Sequence, residues 1–74
     1  MDTDVAIRSL LEVLNGILID ASELSESAVE AIESGHRNQA IGTILDLELR
    51  LPAAQALYTA ALTLHRLPRK GGVQ

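Results

Sequence analysis

Between Ile7 and Ala31 the chain reads IRSLLEVLNGILIDASELSESAVEA, and this stretch decides the fold. Ile7, Leu10, Leu14, Ile17, Ala21, Leu24, Ala28 and Ala31 follow one another at alternating steps of three and four residues. At about 3.6 residues per turn, that spacing keeps all eight on one side of an α-helix, in the a and d positions of a heptad. Leu11, Leu18 and Ile32 widen the stripe on one flank. Asp2, Thr3 and Asp4 offer helix N-caps ahead of it, and Ser34-Gly35 ends it with a glycine suited to a left-handed C-cap. A helix over about 4–34 is expected. Asp20/Glu23 and Ser27/Glu30 have capping-box spacing, which raises the alternative of a break near Ser22.

Beyond the glycine a second run begins, with Asn38 as a reasonable N-cap. Ala40, Ile44, Leu47, Leu51, Ala54, Tyr58, Ala61 and His65 again alternate steps of four and three. This predicts a helix over about 38–67. Pro52 falls inside it. A proline there removes a hydrogen bond and crowds the carbonyl of Glu48. It either kinks the helix or opens a third helix as its first residue. The stripe continues in phase through Pro52, which favours the kink.

Folding at His36 brings the two stripes into register. The expected pairs are Ile7/His65, Leu10/Ala61, Leu14/Tyr58, Ile17/Ala54, Ala21/Leu51, Leu24/Leu47, Ala28/Ile44 and Ala31/Ala40. Half of them set a small residue against a large one, as interdigitating layers prefer. The expected fold is therefore all-α: an antiparallel helical hairpin with a kink or break at Pro52, in a single domain over 1–74. The tail over 68–74 is expected to fray.

A hairpin has one shared seam and two open flanks. Here the flanks carry Leu11, Val13, Leu18 and Ile32 on the first helix, and Ile41, Leu45, Leu57, Leu62 and Leu64 on the second. Left in water, so much apolar surface exceeds what a monomer ordinarily exposes. A chain of 74 residues without cysteine also has no disulfide to support a small core. The expectation is a homodimer of hairpins, a four-helix bundle. Its interface would draw on Leu11, Leu14, Leu18, Ile32, Ile41, Leu45, Leu57, Tyr58, Leu62 and Leu64.

Charge narrows the partners. Residues 1–35 carry eight acids against Arg8 alone, a sum of −7, and residues 36–74 carry five bases against Asp46 and Glu48, a sum of +3. The net −4 disfavours general binding to nucleic acid or anionic membrane. Arg66, Arg69 and Lys70 complement the C-terminal end of their own helix and would lie near Asp2 and Asp4. The acidic start lacks the basic region of a signal peptide, and no apolar stretch approaches the ~20 residues of a membrane span. With no cysteine, a cytoplasmic location is expected.

No residue set calls for catalysis. Glu33 and His36 have the Glu-x-x-His spacing of di-iron bundles, but Glu33 falls outside the seam and His36 in the turn. His65 prolongs the apolar stripe, and Tyr58 is the one aromatic residue. The serines read as helix-face or cap residues. No cofactor, metal or enzymatic activity is expected. Glu23, Glu26, Glu30 and Glu33 form an acidic ridge opposite the seam, which is either an ordinary solvated face or a docking strip for a basic partner.

From Gly35 through Ala40-Ile41 to Pro52, the chain resembles the Gly, Ala, Pro skeleton of a tetratricopeptide repeat, from which Ser34 departs. The turn Gly35-His36-Arg37 followed by Ile41-Gly42-Thr43 is also similar to that of short bacterial helical-hairpin proteins. Both likenesses imply helical hairpins, and the second implies no known activity. Arginine in preference to lysine, with abundant alanine and leucine, suggests a GC-rich bacterial or prophage gene. The expected role is a non-enzymatic protein-protein interaction module. The alternatives are a helical chaperone that covers a partner's helices, or an RNA-binding four-helix dimer using Arg37 and Arg50.

Overall fold

A computed structural model describes residues 2–67. Three helical segments follow one another: α1 (Thr3–Glu33), α2 (Arg37–Leu45) and α3 (Leu47–Arg66). Among the described residues there is no strand. The expected frayed tail lies outside the described residues.

Helix α1 starts where its acidic residues can accept free N–H groups. Asp2 is the N-cap, and its Oδ1 accepts the Asp4 N–H at 2.9 Å. The helix runs unbroken for 31 residues. The break considered near Ser22 does not occur. The Ser25 hydroxyl instead donates back to the Ser22 carbonyl at 3.0 Å, within the same helix.

The turn closes as a Schellman motif. Gly35 takes φ +84°, its N–H donates to the Ile32 carbonyl at 3.1 Å, and the His36 N–H reaches the Ala31 carbonyl at 2.8 Å. Only glycine enters that left-handed region without a steric penalty. The chain passes straight into α2, which starts at Arg37 with His36 as N-cap, two residues ahead of the expected Asn38. The His36 side chain makes no capping hydrogen bond. Its carbonyl already accepts the Ala40 N–H at 3.0 Å, so the first helical turn is set before Asn38.

The second arm is bent, and the bend corrects the expectation in position. It sits at Asp46, six residues ahead of Pro52. Asp46 keeps helical angles (φ −65°, ψ −15°), and its N–H turns to the Thr43 carbonyl at 3.3 Å in a tighter turn. Pro52 lies inside α3, which continues through it. The alternative in which Pro52 opens a third helix is therefore excluded. A proline ring displaces the carbonyl on its N-terminal side, so distortion is expected upstream of the proline.

All eight expected seam residues of α1 are at least partly buried: Ile7, Leu10, Leu14, Ile17, Ala21 and Leu24 partly, Ala28 and Ala31 fully. On the second arm only every other position holds. Ala40, Leu47, Ala54 and Ala61 face inward, but Ile44, Leu51, Tyr58 and His65 are exposed. Their places are taken by the preceding residues: Thr43, Arg50, Leu57 and Leu64. The seam is rotated by one residue at alternate positions. Thr43 tolerates this because its hydroxyl donates to the Gln39 carbonyl at 2.8 Å, and Arg50 because its guanidinium donates to the Asp46 carbonyl at 3.0 Å. Counting equal steps from the turn, Ala31 stands level with Ala40, Leu24 with Leu47, Ala21 with Arg50, Leu14 with Leu57 and Ile7 with Leu64.

The core that results is thin. The fully buried residues are Ala28, Ala31, Ala40, Ala54 and Ala61, all alanine, and no large side chain is fully buried. Alanine lets the helices approach closely, but it withdraws little apolar area from water. The molecule is a rod of 60 × 15 × 13 Å. Its radius of gyration is 17.6 Å, against the about 11 Å of a compact chain of this length.

Candidate interaction surface

In heptad terms the inward residues are a and d, and the residue that follows each d is e. On α1 the e positions are Leu11, Leu18, Ser25 and Ile32; on the second arm they are Ile44, Leu51, Tyr58 and His65. Two antiparallel helices are related by a rotation about the normal to the plane of the hairpin. That rotation leaves a residue on the same broad face, so both e rows share one face. Beside them lie the b positions: Arg8, Asn15, Ser22 and Val29 on α1, and Ile41, Glu48, Gln55 and Leu62 on the second arm.

This face holds the larger part of the exposed apolar surface that is continuous. Leu11, Leu18, Val29 and Ile32 lie along one edge, and Ile41, Ile44, Leu51 and Tyr58 along the other. Leu51 is 54% exposed and Tyr58 52%. Because the rows are staggered, Leu11 falls beside Tyr58, Leu18 beside Leu51 and Ser25 beside Ile44. Asp4, Arg8, Arg37, Glu48 and His65 also lie on it. The opposite face is different in kind. It carries small residues such as Gly16, Ala53 and Ala56 among Asp20, Glu23, Glu30 and Asp46, with Val13 and Leu49 (82% exposed) as its large apolar side chains.

Of the residues expected at the interface, Leu11, Leu18, Ile32, Ile41 and Tyr58 come together on the apolar face. Leu14, Leu57 and Leu64 are partly buried in the seam, and Leu62 is partly buried at its edge. Leu57 and Leu64 thus belong to the hairpin's own packing rather than to an open flank. Leu45 is 60% exposed on the outer side, just ahead of the bend, and does not join the face. Ile44 and Leu51, expected in the seam, are turned to the surface. Apolarity alone prefers Ile44 to Thr43 and Leu51 to Arg50, so the sequence signal places them inside.

The remaining candidates stay separate. Glu23, Glu26, Glu30 and Glu33 are exposed along the outer side of α1. Glu33 and His36 are exposed at the turn end, and no cluster of three metal-binding side chains occurs among the described residues. Arg37 and Arg50 do not form a joint patch. They are thirteen residues apart, about 20 Å along a helix, and the Arg50 guanidinium is held by the Asp46 carbonyl. Arg8 and Glu12 make the one ion pair among the described residues, at 3.4 Å and largely exposed, which adds little stability. No helix among the described residues is long and apolar enough to cross a membrane.

No family model matches the chain, and neither a curated protein nor a solved structure matches it.

Proposed function

We propose that the chain is a non-enzymatic protein-protein interaction module that works as a dimer of hairpins, packed into a four-helix bundle. The observation that carries this reading is the mismatch between core and surface. Everything fully buried is alanine, while eight large or medium apolar side chains lie half-exposed on one broad face. Half-exposed, those eight form an apolar patch on the order of several hundred Å². That is a large share of the about 800 Å² each partner contributes to a standard stable interface, and as large as the functional patches of monomers.

A bundle of four helices gives each of these side chains a second neighbour and encloses the core that two helices leave open. Sedimentation equilibrium tests the reading directly. The expected mass is twice the 7.9 kDa of the chain at micromolar concentration. A mass of 7.9 kDa across the whole accessible concentration range overturns it.

A further inference from the structure

We infer that the second copy packs on the apolar e/b face with both turns at the same end of the bundle, so that α1 of each copy lies over the bent arm of the other. The inference rests on the dimeric reading and adds its face and orientation. Two hairpins meeting face to face about a two-fold axis have two choices. An axis along the rod puts turn beside turn. An axis across the rod puts each turn beside the open end of the other copy.

The pattern of polar residues separates the two arrangements. With turns together, each α1 residue meets the bent-arm residue at its own distance from the turn. Asn15 then faces Gln55, Ser22 faces Glu48 and Asp4 faces His65. Leu11 falls beside Tyr58, Leu18 beside Leu51 and Val29 beside Ile41. Arg8 over Leu62, Ser25 over Ile44 and Ile32 over Arg37 are the unlike pairs. Six of these nine pairs therefore set polar against polar or apolar against apolar.

With turns apart, α1 lies on α1 and the bent arm on the bent arm. With the two rods centred on one another, Leu18 falls on Leu18, Asn15 on Ser22 and Ile44 on Leu62, but Asp4 falls on Ile32, Leu11 on Ser25, Ile41 on His65 and Leu51 on Gln55. Each of these latter contacts strips water from a polar group without supplying a hydrogen-bond partner, which is unfavourable. An occupant of this face must also be long and apolar in the same staggered rhythm, and a second copy of the chain has that form.

The absence of cysteine makes a distance measurement simple, because one introduced thiol carries the only label. A spin label on Asn38→Cys sits on the exposed outer side of α2 beside the turn. With helices packed about 10 Å apart, turns together give a separation below about 30 Å. Turns apart give more than about 40 Å, because α1 alone is about 46 Å long. A label on Val5→Cys, exposed near the open end, repeats the test with about 40 Å expected for turns apart, and short distances at both sites are the expected result.

Two charge variants identify the face. Leu18→Glu is expected to shift the sedimentation mass toward monomer, and Ala56→Glu on the opposite face to leave it dimeric. Should Leu18→Glu unfold the chain instead, the two label distances decide alone. A dimer with long distances at both labels, or one dissociated by Ala56→Glu and not by Leu18→Glu, overturns this arrangement and leaves the dimeric reading standing. A monomeric parent chain overturns the dimeric reading itself.

Discussion

Gly35→Ala isolates the backbone geometry that reverses the chain. A Cβ at position 35 meets nothing within 4 Å, so the substitution creates no clash with a neighbour. Its cost lies in φ +84°, where a residue with a Cβ is strained by about 1–2 kcal/mol. Alanine also restricts the unfolded chain, which returns about 0.4–1 kcal/mol. The expected net loss is about 1 kcal/mol, or about 4–8 °C in melting temperature for a domain of this size. Gly16→Ala is the matching control. Its Cβ also meets nothing within 4 Å, but residue 16 lies inside α1 without a positive φ. There alanine should stabilise by about 0.5–1 kcal/mol. Thermal melts followed by circular dichroism, at one fixed chain concentration, compare both variants with the parent. The reasoning is refuted if Gly35→Ala melts at or above the parent while Gly16→Ala behaves as expected, because only the turn geometry separates the two sites.

Leu14→Ala and Leu47→Ala should each cost about 1–2 kcal/mol by urea denaturation, below the about 2–5 kcal/mol of a fully buried leucine, because both side chains are only partly buried; midpoints equal to the parent would place both on the wrong side of the helices. Leu64→Ala should lower the denaturation midpoint by about 1 kcal/mol while His65→Ala stays within about 0.5, and the reverse order would restore the seam that apolarity alone suggests. Pro52→Ala should raise the melting temperature, since α3 continues through residue 52 and an N–H there can donate to the Glu48 carbonyl. In the parent chain the amides of Ala53 to Gln55 should be protected from hydrogen exchange, and rapid exchange at all three would mean that a new helix starts at Pro52. Glu33→Ala and His36→Ala should leave helicity and metal content unchanged, and a stoichiometric metal lost in either variant would reveal a site at the turn.

The outline of the hairpin is legible from local chemistry because its signals are local. The three-four rhythm from Ile7 to Ala31 names the inward side of α1 correctly at every position. Asp2 as cap and Gly35 as the left-handed residue follow from the need of helix ends to satisfy their own N–H and carbonyl groups. The bend is less legible. Pro52 announces a defect, but its placement at Asp46 depends on how the whole arm lies against α1.

Local chemistry alone therefore sets the two helical arms, the turn between them and the buried side of α1. Which side of the second arm faces inward was decided only by tertiary packing. Ile44 and Thr43, or Leu51 and Arg50, stand one residue apart, and either member of a pair continues a heptad through Ala40, Leu47, Ala54 and Ala61. Apolarity favours Ile44 and Leu51. The folded hairpin instead takes in Thr43 and Arg50, each able to satisfy its polar atoms on its own helix, together with Leu57 and Leu64. Ile44, Leu51 and Tyr58 are thereby turned outward on the same side as Leu11, Leu18 and Ile32. A stripe read along one helix cannot contain that outcome, because the face of a helix is fixed by the shape of what it packs against.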